Sequence, residues 1–259
     1  MIYTPIRVLF KLDGFELYSW GLMFVIAFLV SLFLVLREAK KQKIERKYIY
    51  ELALIVLVSS VVGAKLFYCI EHKTFSLNAL NPFSGGMTSY GGLFLSLILS
   101  FIYVKKRRLD LNKILDLLAP YVALALAIGR IGCFLNGCCY GKPTNFFDKL
   151  GIAFVFPLSQ TFEPRHPTQL YMIISNLTIF FILMKLKKKR KENGILFLLF
   201  LLLYSSFRFF VDFFRAYEIY FFGLSESQWI CLALFIFSFI LLLRKSKGFL
   251  HNRSSANGL

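Results

Sequence analysis

Seven long runs of apolar residues, each set off from the next by a short polar segment, organise the chain. They lie near residues 17–36, 48–70, 89–104, 114–135, 167–184, 194–214 and 226–243. Most approach the roughly 20 residues that an α-helix needs to cross about 30 Å of hydrocarbon. No ten-residue stretch of alternating hydrophobicity suggests a membrane barrel. Helices are therefore required, because in lipid every backbone N–H and C=O has to be satisfied within its own segment. The pattern predicts an all-α integral membrane protein with seven transmembrane helices. No domain boundary or internal repeat is visible, so residues 1–259 read as a single polytopic membrane domain. The connections near 71–88 and 142–166 are long enough to form a small head on one side. Within the second, "GIAFVFP" reads as a short strand.

Composition excludes an ordinary soluble globule: 58% of the 259 residues are hydrophobic, against about 45–50% in soluble domains. The net charge of +17 changes the picture through its distribution. Lys and Arg cluster between the apolar runs, as topology signals do, which argues against a nucleic-acid partner. The segments after the first, third and fifth runs, with the tail from Arg244, carry 21 Lys and Arg; the alternate set carries seven. The richer side is expected to be cytoplasmic. That places the N-terminus outside and the C-terminus in the cytoplasm, in agreement with an odd number of spans. The opening "MIYTPIRVLFKLDGFELYSW" has no small-residue cleavage site after it and reads as an outer segment followed by a retained anchor.

Against this background, polar residues inside the runs stand out, because ionisable groups at membrane depth are costly and point to function. Lys65, Arg130 and Arg208 fall in the outer halves of their spans. Arg130 sits in "GRIG", between glycines that allow close approach; its simpler reading is an arginine reaching for the headgroups. Tyr204, Arg208 and Asp212 share one helix face at i, i+4 and i+8, and Arg208 with Asp212 also reads as a self-neutralising pair. Two arginines at one depth favour an anionic ligand, since guanidinium forks match phosphate oxygens. "PRHPTQLY" adds Arg165, His166, Gln169 and Tyr171, and "YGG" at Tyr90 to Gly92 reads as a close-packed helix entry.

The five cysteines, Cys69, Cys133, Cys138, Cys139 and Cys231, are expected in outer halves or outside. Their odd number leaves at least one thiol without an internal partner, and any disulfide pairing stays open. The Cys-x4-Cys-Cys spacing lacks the paired Cys-x2-Cys knuckles of a structural zinc site, and His166 is the one obvious extra ligand. No metal and no cofactor is expected; nothing indicates a nucleotide, flavin or haem site.

"GRIGCFLNGCCYGKPT" at residues 129–144 resembles the signature of the prolipoprotein diacylglyceryl transferase family. That signature runs Gly-Arg, an Asn-Phe pair, Asn, an acidic residue, Gly and Pro-Thr. "RHPTQLY" and "YSSFRFFVDFFR" are similar to two further family landmarks in the right order, and "LYSWGLMF" and "SYGGL" match more loosely. Together they cover Leu17 to Glu218, and three ordered motifs are far more specific than one. The resemblance implies a seven-helix enzyme of the bacterial inner, or cytoplasmic, membrane. It would move the diacylglyceryl group of phosphatidylglycerol to the lipobox cysteine thiol of a prolipoprotein signal peptide, at a site toward the outer leaflet, leaving glycerol phosphate. Carried over residue by residue, Arg130 and Arg208 hold the departing phosphate and Tyr204 and Asp212 support the second arginine. Asn136 and Gly141 shape the site, and Tyr90, His166 and Gln169 contact substrate.

Departures from the pattern are concentrated in the signature: Cys133 stands where Asn is usual and Cys138 where an acid is usual. Tyr90 replaces a frequent His, Trp20 a Tyr, Asp212 a Glu and Met172 a Glu. Cys138, in the acidic position, joins the catalytic candidates. The leaving phosphate and the substrate thiol already supply the reacting partners, so the resemblance implies that no enzyme thiol is needed. Two other readings compete: a non-catalytic lipid or lipopeptide binder, and a membrane thiol enzyme using Cys138 or Cys139. The charge asymmetry makes its own prediction. A cysteine introduced by Lys188→Cys reacts with impermeant reagents only from the cytoplasmic side, and one introduced by Asn145→Cys only from outside; reversed labelling would invert the assignment of every site residue.

Overall fold

The structure, a computed structural model, describes residues 2–3, 5–12, 15–73, 86, 88–146, 153–156, 159, 163–188, 193–216 and 221–256. Seven helices account for most of them: α1 (Ser19–Lys41), α2 (Arg46–Glu71), α3 (Ser89–Lys106), α4 (Leu111–Asn136), α5 (Thr168–Lys187), α6 (Ile195–Asp212) and α7 (Glu226–Ala256). Six of them, α1, α2 and α4 to α7, are long and apolar enough to cross a membrane, which makes this a multi-pass membrane protein. Side chains such as Leu54, Phe94, Phe181 and Phe210 point outward and exposed, the arrangement expected where the surrounding solvent is hydrocarbon.

Four short strands accompany the helices. β1 (Ile2–Tyr3) pairs in parallel with β4 (Ala153–Phe154), and β2 (Val8–Leu12) pairs antiparallel with β3 (Phe15–Tyr18). β4 falls inside the expected strand "GIAFVFP". The β2–β3 hairpin is not anticipated by the apolar pattern, which runs the first span back to residue 17. Leu17 and Tyr18 are as apolar as the helix they precede, so hydrophobicity does not separate strand from helix there. At the other end α7 runs 13 residues past the expected limit of 243, because Arg and Lys are good helix formers once outside lipid. Of the two expected head segments, 74–85, 87, 147–152, 157–158 and 160–162 lie outside the described residues.

The chain forms two compact units, one of residues 1–31 and 118–259, the other of residues 32–117, with the boundaries inside α1 and α4. In the first, Ala119, Ala123, Ile179, Leu183, Leu196 and Phe200 form a buried core that joins α4, α5 and α6. α6 packs on both α5 and α7. In the second, α2 and α3 pack along their length. The Glu51 carboxylate accepts hydrogen bonds from the Tyr103 hydroxyl at 2.7 Å and from Arg107 Nη2 at 2.6 Å.

The α2–α3 contact depends on missing side chains. A Cβ on Gly63 would strike the Gly91 carbonyl oxygen and approach Leu95 Cβ at 2.8 Å, and one on Gly92 would meet the Ser60 carbonyl oxygen at 2.6 Å. Small residues let helices approach closely in lipid, where van der Waals contact rather than the hydrophobic effect holds them together. Gly91 and Gly92 thus form the tight entry expected of "YGG". Gly91→Leu should destabilise the protein by about 2–3 kcal/mol through forced separation of the helices, measurable as a lowered unfolding midpoint in detergent, whereas Leu97→Ala on an exposed position should have little effect.

Candidate active site

The signature stretch begins inside α4 and leaves it through a glycine. Gly137 has φ 74°, its N–H donates to Phe134 O at 3.0 Å, and the Cys138 N–H reaches back to Cys133 O at 3.1 Å. These two bonds form a Schellman motif, in which the second residue beyond the helix end pairs with the fourth from the end. Here that pair is Cys138 and Cys133. The next residue, Cys139, is also left-handed at φ 63°, an uncommon conformation for a side chain other than Gly, Asn or Asp.

Three side chains hold this strained turn by its carbonyls. Thr168 Oγ1 donates to Cys139 O at 2.7 Å, Gln169 Nε2 to Cys138 O at 2.6 Å, and Arg215 Nη2 to Cys139 O at 3.3 Å. Thr168 and Gln169 open α5, and both are buried. The backbone is clamped as well: Gly141 N–H donates to His166 O, His166 N–H to Lys142 O, and Lys142 N–H to Phe214 O. A Cβ on Gly141 would collide with the Phe214 carbonyl and come within 2.7 Å of His166 Cβ, so this position admits only glycine.

The result is a cluster of functional groups at the end of α4. The Sγ atoms of Cys133, Cys138 and Cys139 lie within 4.8 Å of one another, and all are thiols. Hydrogen bonds from Cys133 and Cys138, followed by the charges of Arg215 and Arg130, hold the Cys139 thiol below its ordinary pKa. The Asn136 side chain neighbours the Cys138 thiol. Arg130 is half-buried and has no carboxylate partner among the described residues. His166 Nδ1 lies 2.9 Å from the Tyr171 hydroxyl, and its ring packs on Phe214. Burial pushes its pKa below the usual imidazole value, favouring the neutral ring.

A second group lies on α6. Arg208 Nε is 3.2 Å from Asp212 Oδ2, with both side chains buried, and Nε and Nη2 each donate to Ser227 Oγ of α7 at 3.4 Å. The Asp212 oxygens accept no hydrogen bond among the described residues, so the contact with Arg208 is ionic. Tyr204 is positioned by stacking on Phe200, with ring centroids 5.8 Å apart. Arg215, whose N–H donates to Asp212 O at 3.2 Å, ties this group to the cysteine turn. Beside it, Ser206, Phe209, Phe210, Cys231, Leu232 and Phe235 line an apolar groove of about 210 Å³ between α6 and α7.

Of the residues singled out in the sequence, Arg130, Asn136, Cys138, Gly141, His166 and Gln169 are brought together around the turn, and Tyr204, Arg208 and Asp212 share α6. Tyr90 stands exposed at the start of α3, in the other unit. Sequence reasoning passed over Thr168 and Arg215. Arg215 was counted as an outer-side cation, yet it is buried; its position three residues after Asp212 was the available signal.

Comparison with known proteins agrees with the geometry in extent. The family described as prolipoprotein diacylglyceryl transferase matches residues 7–244. A phosphatidylglycerol--prolipoprotein diacylglyceryl transferase of Clostridium tetani (strain Massachusetts / E88) is 36% identical over 212 residues, covering 80% of this chain and 84% of that protein. One of the same name from Finegoldia magna (strain ATCC 29328 / DSM 20472 / WAL 2508) is 31% identical over 248 residues, covering 93% and 96%. The match takes in α1 to α6, the cysteine turn and most of α7, and the chain belongs to the prolipoprotein diacylglyceryl transferase family.

Proposed function

We propose that this protein transfers the diacylglyceryl group of phosphatidylglycerol to the lipobox cysteine thiol of a prolipoprotein in a bacterial inner membrane. The chain spans the membrane seven times in this reading, N-terminus outside and C-terminus cytoplasmic, with the site toward the outer leaflet. The observation that carries the proposal is Arg130, a half-buried guanidinium beside a rigid turn and without a carboxylate partner among the described residues. Such a group is placed to receive an anion that the protein itself does not supply.

The acceptor thiol gives up its proton to solvent as its sulfur attacks the glyceryl carbon that bears the phosphate. An S–C bond forms, the C–O bond breaks, and its electron pair stays on the departing glycerol phosphate. Negative charge grows on the phosphate oxygens as it leaves, so cations fixed in advance lower the barrier. Arg130 takes this role directly. Arg208, oriented by Asp212 and Ser227, supplies a second guanidinium, and the adjoining apolar groove suits a lipid chain. Gln169, Thr168 and Arg215 act as positioning residues by holding the turn, and His166 beside it contacts the substrates.

Purified protein incubated with phosphatidylglycerol and a lipobox peptide should yield a diacylglyceryl adduct on the peptide cysteine by mass analysis. Lipid binding without an adduct would indicate a binder instead, and an adduct on the protein a thiol enzyme. Arg130→Ala should lower kcat/KM about 100- to 1,000-fold, with poor rescue by Arg130→Lys, which loses the fork.

Arg208 separates a structural from a catalytic role by a double substitution. Arg208→Ala and Asp212→Ala should each destabilise the protein by about 3–5 kcal/mol, since each strands a buried charge. The pair of substitutions together should restore much of the thermal stability and none of the turnover; recovery of turnover as well would reduce Arg208 to half of an ion pair.

A further inference from the structure

The three thiols have no role in the reaction as drawn, yet the fold brings them together with more care than packing requires. The Schellman turn places Cys138 over Cys133, and a left-handed Cys139, held by Thr168 and Arg215, adds the third sulfur. In a shell of about 2.3 Å zinc–sulfur bonds, neighbouring sulfurs stand about 3.8 Å apart. Three sulfurs already within 4.8 Å of one another reach that spacing by shifts of about 1 Å or less. No fourth His, Cys or carboxylate joins the cluster among the described residues; His166 is engaged with Tyr171. Three protein ligands and an open position are the pattern of a catalytic zinc site rather than a structural one.

We propose that Cys133, Cys138 and Cys139 bind Zn²⁺ and that its open position takes the thiol of the acceptor peptide. This rests on the transferase reading above and reverses the sequence-based expectation that no metal binds. A coordinated thiol is deprotonated outright, so the acceptor would arrive as a thiolate, its proton released to solvent. The coordinated sulfur then forms the S–C bond, the C–O bond to phosphate breaks, and glycerol phosphate leaves as a dianion; no electron acceptor is involved. Charge favours the arrangement. Four thiolates around Zn²⁺ leave a net charge of about −2, and Arg130 and Arg215 are the cationic neighbours of Cys139. The cysteines in the usual Asn and acid positions of the signature then have a common purpose.

The test uses the full chain, purified under reductant and placed in phosphatidylglycerol nanodiscs. Elemental analysis should find one zinc per chain. Co²⁺ in its place should give thiolate-to-cobalt absorption that changes when a lipobox peptide is added and not when its Cys→Ser counterpart is. Chelation should lower transfer about tenfold or more, with recovery on adding zinc. Cys133→Ser, Cys138→Ser and Cys139→Ser should each lose metal and turnover together, and the wild-type cobalt spectrum does not depend on those variants folding. A wild-type protein that transfers fully after chelation and binds neither metal would overturn the zinc site and leave the transferase reading standing. Zinc bound without any transfer would overturn the transferase reading and the acceptor role with it. Retention of Cu⁺ in place of zinc would also overturn the assignment.

Discussion

A helix that ends at a membrane surface has to satisfy its last carbonyls without the help of a continuing chain, and the way α4 does so governs the rest of the site. Gly137 enters the left-handed region, two carbonyls of the last turn receive N–H groups from beyond the helix end, and the chain reverses. The turn sets the direction in which residues 138–144 travel. From there the backbone threads between residues 164–168 and 214–215, where only a glycine fits at position 141. Arg130, two turns back on the same helix, is thereby held beside the thiols.

The large elements were legible because lipid imposes one solution on an apolar run, so the seven runs and the seven helices correspond closely. Finer features were legible only where spacing encodes geometry. Arg208 and Asp212 pair because residues four apart on a helix face each other. The β2–β3 hairpin was hidden because its strands are short and set Lys11 and Glu16 among apolar residues without regular alternation, so neither a span nor a strand pattern marks it. Tyr204, read as a support for Arg208, finds its place through an aromatic neighbour, and nothing in i, i+4 spacing selects the upward over the downward contact.

The cysteines show that a spacing rule carries its structural context with it. Cys-x4-Cys is a poor metal spacing in the knuckles for which the rule was formed. With glycine just before the second cysteine, the same interval places one thiol at each end of a Schellman closure. The signal was present in "CFLNGC", and it belongs to helix capping rather than to metal motifs. Likewise Arg215 reads as an interfacial cation in the sequence because the carbonyl it binds belongs to a residue 76 positions away.

That separation bears on how the protein is made. The cysteine turn is held by α5, 29 and 31 residues downstream, and then by Arg215 beyond α6. A chain synthesised and inserted from its N-terminus presents Cys138 and Cys139 before any of these supports exist, and the last arrives only after two more helices have entered the bilayer. Until α5 supplies Thr168 and Gln169 the turn lacks the side-chain donors that hold its carbonyls, and Arg215 adds the last of them only after α6. Maturation of this site is therefore a late event in biogenesis, set by the insertion of α6 rather than by the helix that carries the cysteines.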